Sequence, residues 1–153
     1  MIPAPRRPLS PAQQYLHLRT NPICRGEGKL DGAGLLWEYR VRPTPLSRQY
    51  LVRIIMKRNG TPHVTVIQPD LAALADGRPL PHVYSNPIRL CLTLPKAREW
   101  TTLMRIDQTF VPWVATWLFY FEEWLVSDDW KGGGEHPSSC DAPPPGDVRR
   151  IRR

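Results

Sequence analysis

The chain has 153 residues, 41% of them hydrophobic and 23% charged, which is one domain's worth with enough apolar content for a core and argues against wholesale disorder. Its 21 Lys+Arg exceed 14 Asp+Glu by seven, a moderate positive balance that suits nucleic acid, an acidic protein partner or plain solubility equally well. The longest strongly apolar run, 111–121, falls short of the ~20 residues of a spanning helix, so no membrane protein is expected.

MIPAPRRPLS opens the chain with basic residues but no apolar stretch behind them, so no secretory signal is read. Residues 1–9 form a proline-rich lead. Ser10 then has the character of a helix N-cap, with Pro11 at the first helical position and Gln13 three residues after the cap, a capping-box pattern. The helix it starts should run over 11–19 and stop near Asn21, because the residue before Pro22 disfavours helical geometry. A glycine-rich turn is expected over 25–34. Leu35, Trp37, Tyr39 and Val41 alternate with Leu36, Glu38 and Arg40, the period-2 signature of a half-buried strand. Pro43 and Pro45 break it, and a second alternation follows at Tyr50, Val52, Ile54 and Met56. Asn59-Gly60 then offers the positive φ angles of a tight turn, and a third strand over 63–67 ends at Pro69. Three sequential strands with short connections predict an antiparallel meander, not a βαβ unit.

Residues 70–76 suit a helical turn before Gly77. From 79 to 100 the chain carries four prolines and little periodicity, which predicts a long structured loop. The strongest helix signal starts near Pro112 and ends around Val126: Trp113, Trp117, Phe121 and Trp124 share a face, with Val114, Leu118 and Leu125 on its flank, a core stripe first and a ligand box second. The domain is taken as 10–137, followed by a flexible proline- and arginine-rich tail over 138–153.

Cys24, Cys91 and Cys140 are widely spaced, with no C-x-x-C pair, so free thiols in a reducing cytoplasm are expected. Cys91 is the residue that stands out. It lies in NPIRLCLTLP between Pro87 and Pro95, where Leu90, Leu92 and Leu94 can face the core while Arg89, Cys91 and Thr93 point outward. An exposed thiol near Arg89 favours thiolate, and the competing reading is a small buried hydrophobe. His82 and Asn86, nine and five residues upstream, are candidate donors to an oxyanion formed when a thioester is attacked, or else residues that satisfy loop backbone groups.

His136 and Cys140 have ligand spacing without a second pair, so no metal is expected. Glycines 132–134 neither follow a strand nor open a helix with Lys and Ser/Thr, which argues against a phosphate cradle, and no cofactor is indicated. Basic residues at 40, 42, 48, 53, 57 and 58, with four arginines in the tail, make either a nucleic-acid surface or an ordinary solvated face.

In order of elements the chain resembles the ubiquitin-conjugating enzymes: the Ser10 helix, the strands over 35–67, His82, Asn86, Cys91-Leu92, Trp100 and the helix from Pro112. It is more closely similar to the conjugating-enzyme-like proteins of short type II CBASS anti-phage operons. NPIRLCLTLP, Glu99-Trp100, Val111-Pro112-Trp113, the EEWL stretch beginning at Glu122 and the W-x-GGG-x-HP stretch beginning at Trp130 carry that likeness. The resemblance implies an α+β fold with an N-terminal helix, an antiparallel β-meander, a long catalytic loop and a C-terminal helix. It also implies a partner, a cGAS-like nucleotidyltransferase, whose C-terminus Cys91 would accept as a thioester and ligate to an amine. The eukaryotic enzymes have contiguous His-Pro-Asn, whereas here the order is His82-Val83-Tyr84-Ser85-Asn86-Pro87, so either Asn86 or His82 is left as the oxyanion group. The alternatives are an inactive scaffold of the same fold that binds the synthase, and a small nucleic-acid-binding module.

Overall fold

The computed structural model describes residue 4, residues 6–93 and residues 99–134. Leu94, Pro95, His136, Cys140 and the tail arginines lie outside the described residues.

Helix α1 spans Pro11–Thr20. The Ser10 hydroxyl accepts the Gln13 N–H at 3.2 Å while the Ser10 N–H reaches the Gln13 Oε1 at 2.9 Å, and the extended backbone of Asn21 ends the helix before Pro22. A single 3-10 turn, Pro22–Cys24, leads into the sheet.

Four strands follow, β1 Gly26–Asp31, β2 Gly34–Val41, β3 Tyr50–Lys57 and β4 His63–Gln68, antiparallel and paired in chain order. The glycine-rich segment expected as a turn is therefore mostly a strand, and the turn is confined to the link at residues 32–33. Close approach of two backbones explains the glycines: a Cβ at Gly26 would fall on the Glu38 carbonyl oxygen and one at Gly28 on that of Leu36. Composition that reads as turn here reflects the need for a bare backbone face.

Alternation along the strands has the expected consequence. Leu35, Trp37, Tyr39, Tyr50, Val52, Ile54, Met56 and Val64 are buried on one face of the sheet. On the opposite face Glu38 sits across from Arg53 and pairs with it at 2.6 Å, so part of the basic surface is internally neutralised.

Helix α2, Leu71–Ala75, starts where Asp70 accepts from the Ala72 and Ala73 N–H groups. Within the stretch expected as loop are two short strands, β5 Val83–Tyr84 and β6 Arg89–Leu90, paired as a hairpin, with β6 lying against β4. Helix α3, Phe110–Ser127, has Pro112 in its first turn. Val114, Trp117, Leu118, Phe121 and Trp124 of its inner stripe share one core with the sheet and with Leu18 of α1.

Polar contacts fix how α3 enters and leaves. The buried Gln14 amide donates to the Met104 carbonyl at 2.7 Å and accepts from the Ile106 N–H at 2.9 Å, so α1 holds the segment leading to α3. Burial pushes the Asp107 carboxyl up, but hydrogen bonds from Arg105 and Asn21 prevail and hold it below the usual carboxylate range. At the far end Arg78 donates to the Leu125 carbonyl (3.2 Å), pairs with Asp128 (3.1 Å) and lies 4.3 Å over the Trp124 ring. This caps the orphan carbonyls of the last turn and ties the start of the cysteine-bearing stretch to α3. No helix among the described residues is long and apolar enough to cross a membrane.

Candidate active site

The β5–β6 hairpin places the thiol. Val83 pairs with Leu90 and Tyr84 with Arg89, and the Cys91 N–H continues the ladder to the His82 carbonyl at 3.0 Å. Side chains alternate between faces along a strand. Val83 and Leu90 accordingly pack on the core, and His82, Tyr84, Arg89 and Cys91 belong to the other face.

Cys91 is half-buried and lines a cavity of about 260 Å³ together with His82, Thr93, Glu99, Trp113, Tyr120 and Trp130, with residues 132–134 along one side. Its Sγ is 3.6 Å from the Tyr84 hydroxyl oxygen and 3.8 Å from the Thr93 carbonyl. The other described cysteine has a contrasting environment. Cys24 is sealed from solvent, its thiol donates to the Leu18 carbonyl at 3.5 Å, and burial followed by the Asp107 charge pushes it up to about 11. A thiol in that state is inert.

His82 shares the Cys91 cavity and is buried, with its ring stacked on Trp130 at 4.9 Å. Its carbonyl accepts two N–H groups at 3.0 Å, from Cys91 and from the Trp117 indole, and so bolts the hairpin to α3. Asn86 is placed elsewhere. It sits exposed in the turn at residues 85–88 with φ of 56°, beyond the last rung, and two residues of strand separate that rung from the thiol, about 7 Å along the ladder. The structure brings His82 to Cys91 and does not bring Asn86 to either. The turn needs a residue tolerant of left-handed φ before Pro87, and asparagine is such a residue.

Arg89 does not turn toward the sulfur either. Its Nη1 is 3.0 Å from the His63 Nδ1 on β4, and its guanidinium carbon lies 5.5 Å from the Tyr84 ring centre. Burial first, then the charges of Arg89 and Lys57, hold His63 below its ordinary pKa, so its neutral ring accepts from Arg89. Trp100 is buried edge-to-face against Phe110 at the start of α3, at 5.7 Å.

Sequence reasoning missed Tyr84, Tyr120, Trp130 and the wall made by residues 132–134. The Ser85-Asn86-Pro87 turn signature flanked by VY and RL was the available signal for Tyr84, since a hairpin there puts Tyr84 on the face of His82 and Cys91. Trp130 reaches the site only through tertiary packing, touching His82 (4.9 Å), Trp117 (5.6 Å) and Tyr120 (6.1 Å). Among the described residues no three His, Cys, Asp or Glu side chains gather to hold a metal ion. What remains is a half-buried cysteine lining an aromatic-walled recess, with the Tyr84 hydroxyl beside its sulfur.

Compared with known proteins, residues 14–137 match the family model described as Type II CBASS E2 protein. That span includes α1 from Gln14 onward, the sheet, the hairpin with Cys91, α3 and the glycine wall. No curated protein matches the chain.

Proposed function

The chain belongs to the type II CBASS E2 family, and on that premise we propose that Cys91 carries the C-terminal carboxyl of another protein as a thioester and passes it to an amine. The observation that supports this reading is that Cys91 is half-buried and lines a 260 Å³ cavity, in contrast to the sealed Cys24. A thiolate is a strong nucleophile toward an activated carbonyl, and the thioester it forms is in turn readily cleaved by amines. Little acid–base machinery is needed for that exchange.

In this reading the carried protein is a cGAS-like nucleotidyltransferase, as the family resemblance implies, and the reaction serves antiviral defence in the cytoplasm. His82, which shares the cavity with the thiol, is better situated than Asn86 to face the acyl carbonyl. Trp100 and α3 hold the loop while the acyl group is exchanged. In this reading a separate activating protein supplies the activated carboxyl.

Incubation with the activating protein and a glycine-terminated synthase should give an adduct cleaved by thiol reductant and absent from Cys91→Ala. An adduct that persists in Cys91→Ala refutes the assignment. A tight synthase complex that supports phage defence equally well with Cys91→Ala identifies the chain as a scaffold.

A further inference from the structure

We propose that the Tyr84 phenol is the charge-stabilising donor of this site, holding the Cys91 sulfur as thiolate both when it enters and when it leaves the acyl group. The inference rests on the thioester reading above and adds a residue to it. Three observations converge. The Tyr84 oxygen is 3.6 Å from the Cys91 Sγ, and the same hydroxyl donates to the Thr93 carbonyl at 3.4 Å. The Arg89 guanidinium lies over the Tyr84 ring, 5.5 Å from its centre, held by its contact with the neutral His63 at 3.0 Å.

These contacts describe a hydroxyl with two alternative acceptors. With Cys91 protonated, the thiol donates to the phenol oxygen and the phenol donates to Thr93. When the sulfur ionises it can only accept, and a small rotation of the Tyr84 O–H turns the proton from the carbonyl to the thiolate. A hydrogen bond to a charged acceptor is about twice as strong as one between neutral groups, so the rotation favours ionisation. A cation over the ring draws electron density from it and makes the phenol the better donor. Asn86, in the exposed turn, is in no position to do this.

The bookkeeping of discharge shows where the donor acts. The amine nitrogen attacks the thioester carbonyl carbon, and a C–N bond forms. The C–S bond then breaks with its electron pair going to sulfur, and the amine proton passes to solvent base. The departing sulfur is an anion until water reprotonates it, and the Tyr84 O–H points at it throughout. Loading is the reverse at sulfur: the Cys91 proton goes to solvent, the thiolate attacks the activated carboxyl, and the bond to the activating group breaks. Among the described residues the other titratable groups that line the cavity of the sulfur are His82, Glu99 and Tyr120, while Arg89 and, through it, His63 act on the Tyr84 ring. Tyr84→Phe leaves all of them in place.

The test is the pH dependence of iodoacetamide alkylation at Cys91 in the full chain, read by peptide mass so that Cys24 and Cys140 are scored separately. Losing one hydrogen bond to a half-exposed anion should move the Cys91 midpoint up by about one pH unit in Tyr84→Phe. The rate at pH 7 should fall only about threefold, because the more basic thiolate is also the better nucleophile. Arg89→Met should shift the midpoint in the same direction by less. A 3-fluorophenol introduced at position 84, a stronger donor of nearly equal size, should move it down and decides the matter if Tyr84→Phe does not fold. A midpoint unmoved by Tyr84→Phe or by the fluorophenol overturns the proposal. A glycine-terminated peptide thioester offered to the wild type, followed by lysine, tests the acyl-carrier reading separately. Failure to load Cys91 refutes that reading, whereas normal loading with an unmoved midpoint refutes the Tyr84 assignment alone.

Discussion

Trp117→Phe isolates the contact by which α3 positions the thiol hairpin. The indole N–H donates to the His82 carbonyl at 3.0 Å, and that carbonyl also takes the Cys91 N–H. Removing the indole leaves the carbonyl with one partner, so no buried acceptor is orphaned and the lost hydrogen bond costs about 1 kcal/mol. The smaller ring also gives up part of its stack on Phe121 (5.3 Å) and its contact with Trp130 (5.6 Å), a partial large-to-small change worth roughly another 1–2 kcal/mol. The sum of about 2–3 kcal/mol should lower the melting temperature by about 5–10 °C. Hydrogen exchange supplies the more specific readout: the Cys91 amide should lose protection by a larger factor than the amides of β3, because the tether acts on the hairpin. A melting temperature within about 1 °C of wild type and an unchanged Cys91 amide would refute the claim that α3 anchors the site through this bond.

Glycine placement in β1 yields a paired test. Gly28→Ala forces a methyl onto the Leu36 carbonyl, and backbone cannot rotate away as a side chain can, so it should cost roughly 1–3 kcal/mol by thermal or urea unfolding. Gly32→Ala has nothing within 4 Å of the new methyl and should change stability by no more than about 0.5 kcal/mol. Asp107, fully buried at its side chain against an Arg105 that is 36% exposed, is held below its unfolded pKa. Its contribution is therefore complete above the ordinary carboxylate range and is lost as pH falls through the lower folded value. Asp107→Asn should flatten the stability-versus-pH curve on the acid side and destabilise by about 1–3 kcal/mol at pH 7, measured by urea unfolding at stepped pH. At pH 8 iodoacetamide should alkylate Cys91 in the folded protein and leave Cys24 unmodified until the chain unfolds. Equal rates at both sulfurs would contradict the burial that separates them.

Period and punctuation made most of the fold legible. Ser10, Pro11 and Gln13 specify the start of α1 by local hydrogen bonds alone, and the alternation through Trp37 and Ile54 states which face is buried because a strand has only two. The first strand was hidden for an equally physical reason. Glycine signals freedom of φ and close backbone approach alike, and only the presence of β2 beside Gly26 and Gly28 distinguishes the two. Likewise the Glu38–Arg53 pair requires knowing the β2–β3 register before a row of cations can be read as partly neutralised.

The site divides along the same line. Cys91 and His82 flank the open end of the β5–β6 hairpin, nine residues apart and close enough in sequence for one hairpin to join them, and both were visible as candidates. The rest of the cavity is assembled from segments that are remote in sequence, with Trp113 and Tyr120 on α3 and Trp130 with residues 132–134 beyond it. No spacing rule relates a tryptophan at 130 to a histidine at 82, since the stacking that joins them depends on where α3 ends. That end is set by Arg78, whose guanidinium caps the last carbonyls of the helix and covers Trp124. The residue that starts the cysteine-bearing stretch thus also fixes where the chain turns back to wall the thiol. Loosening Arg78 would disturb the recess from both sides while leaving the β5–β6 hairpin itself intact.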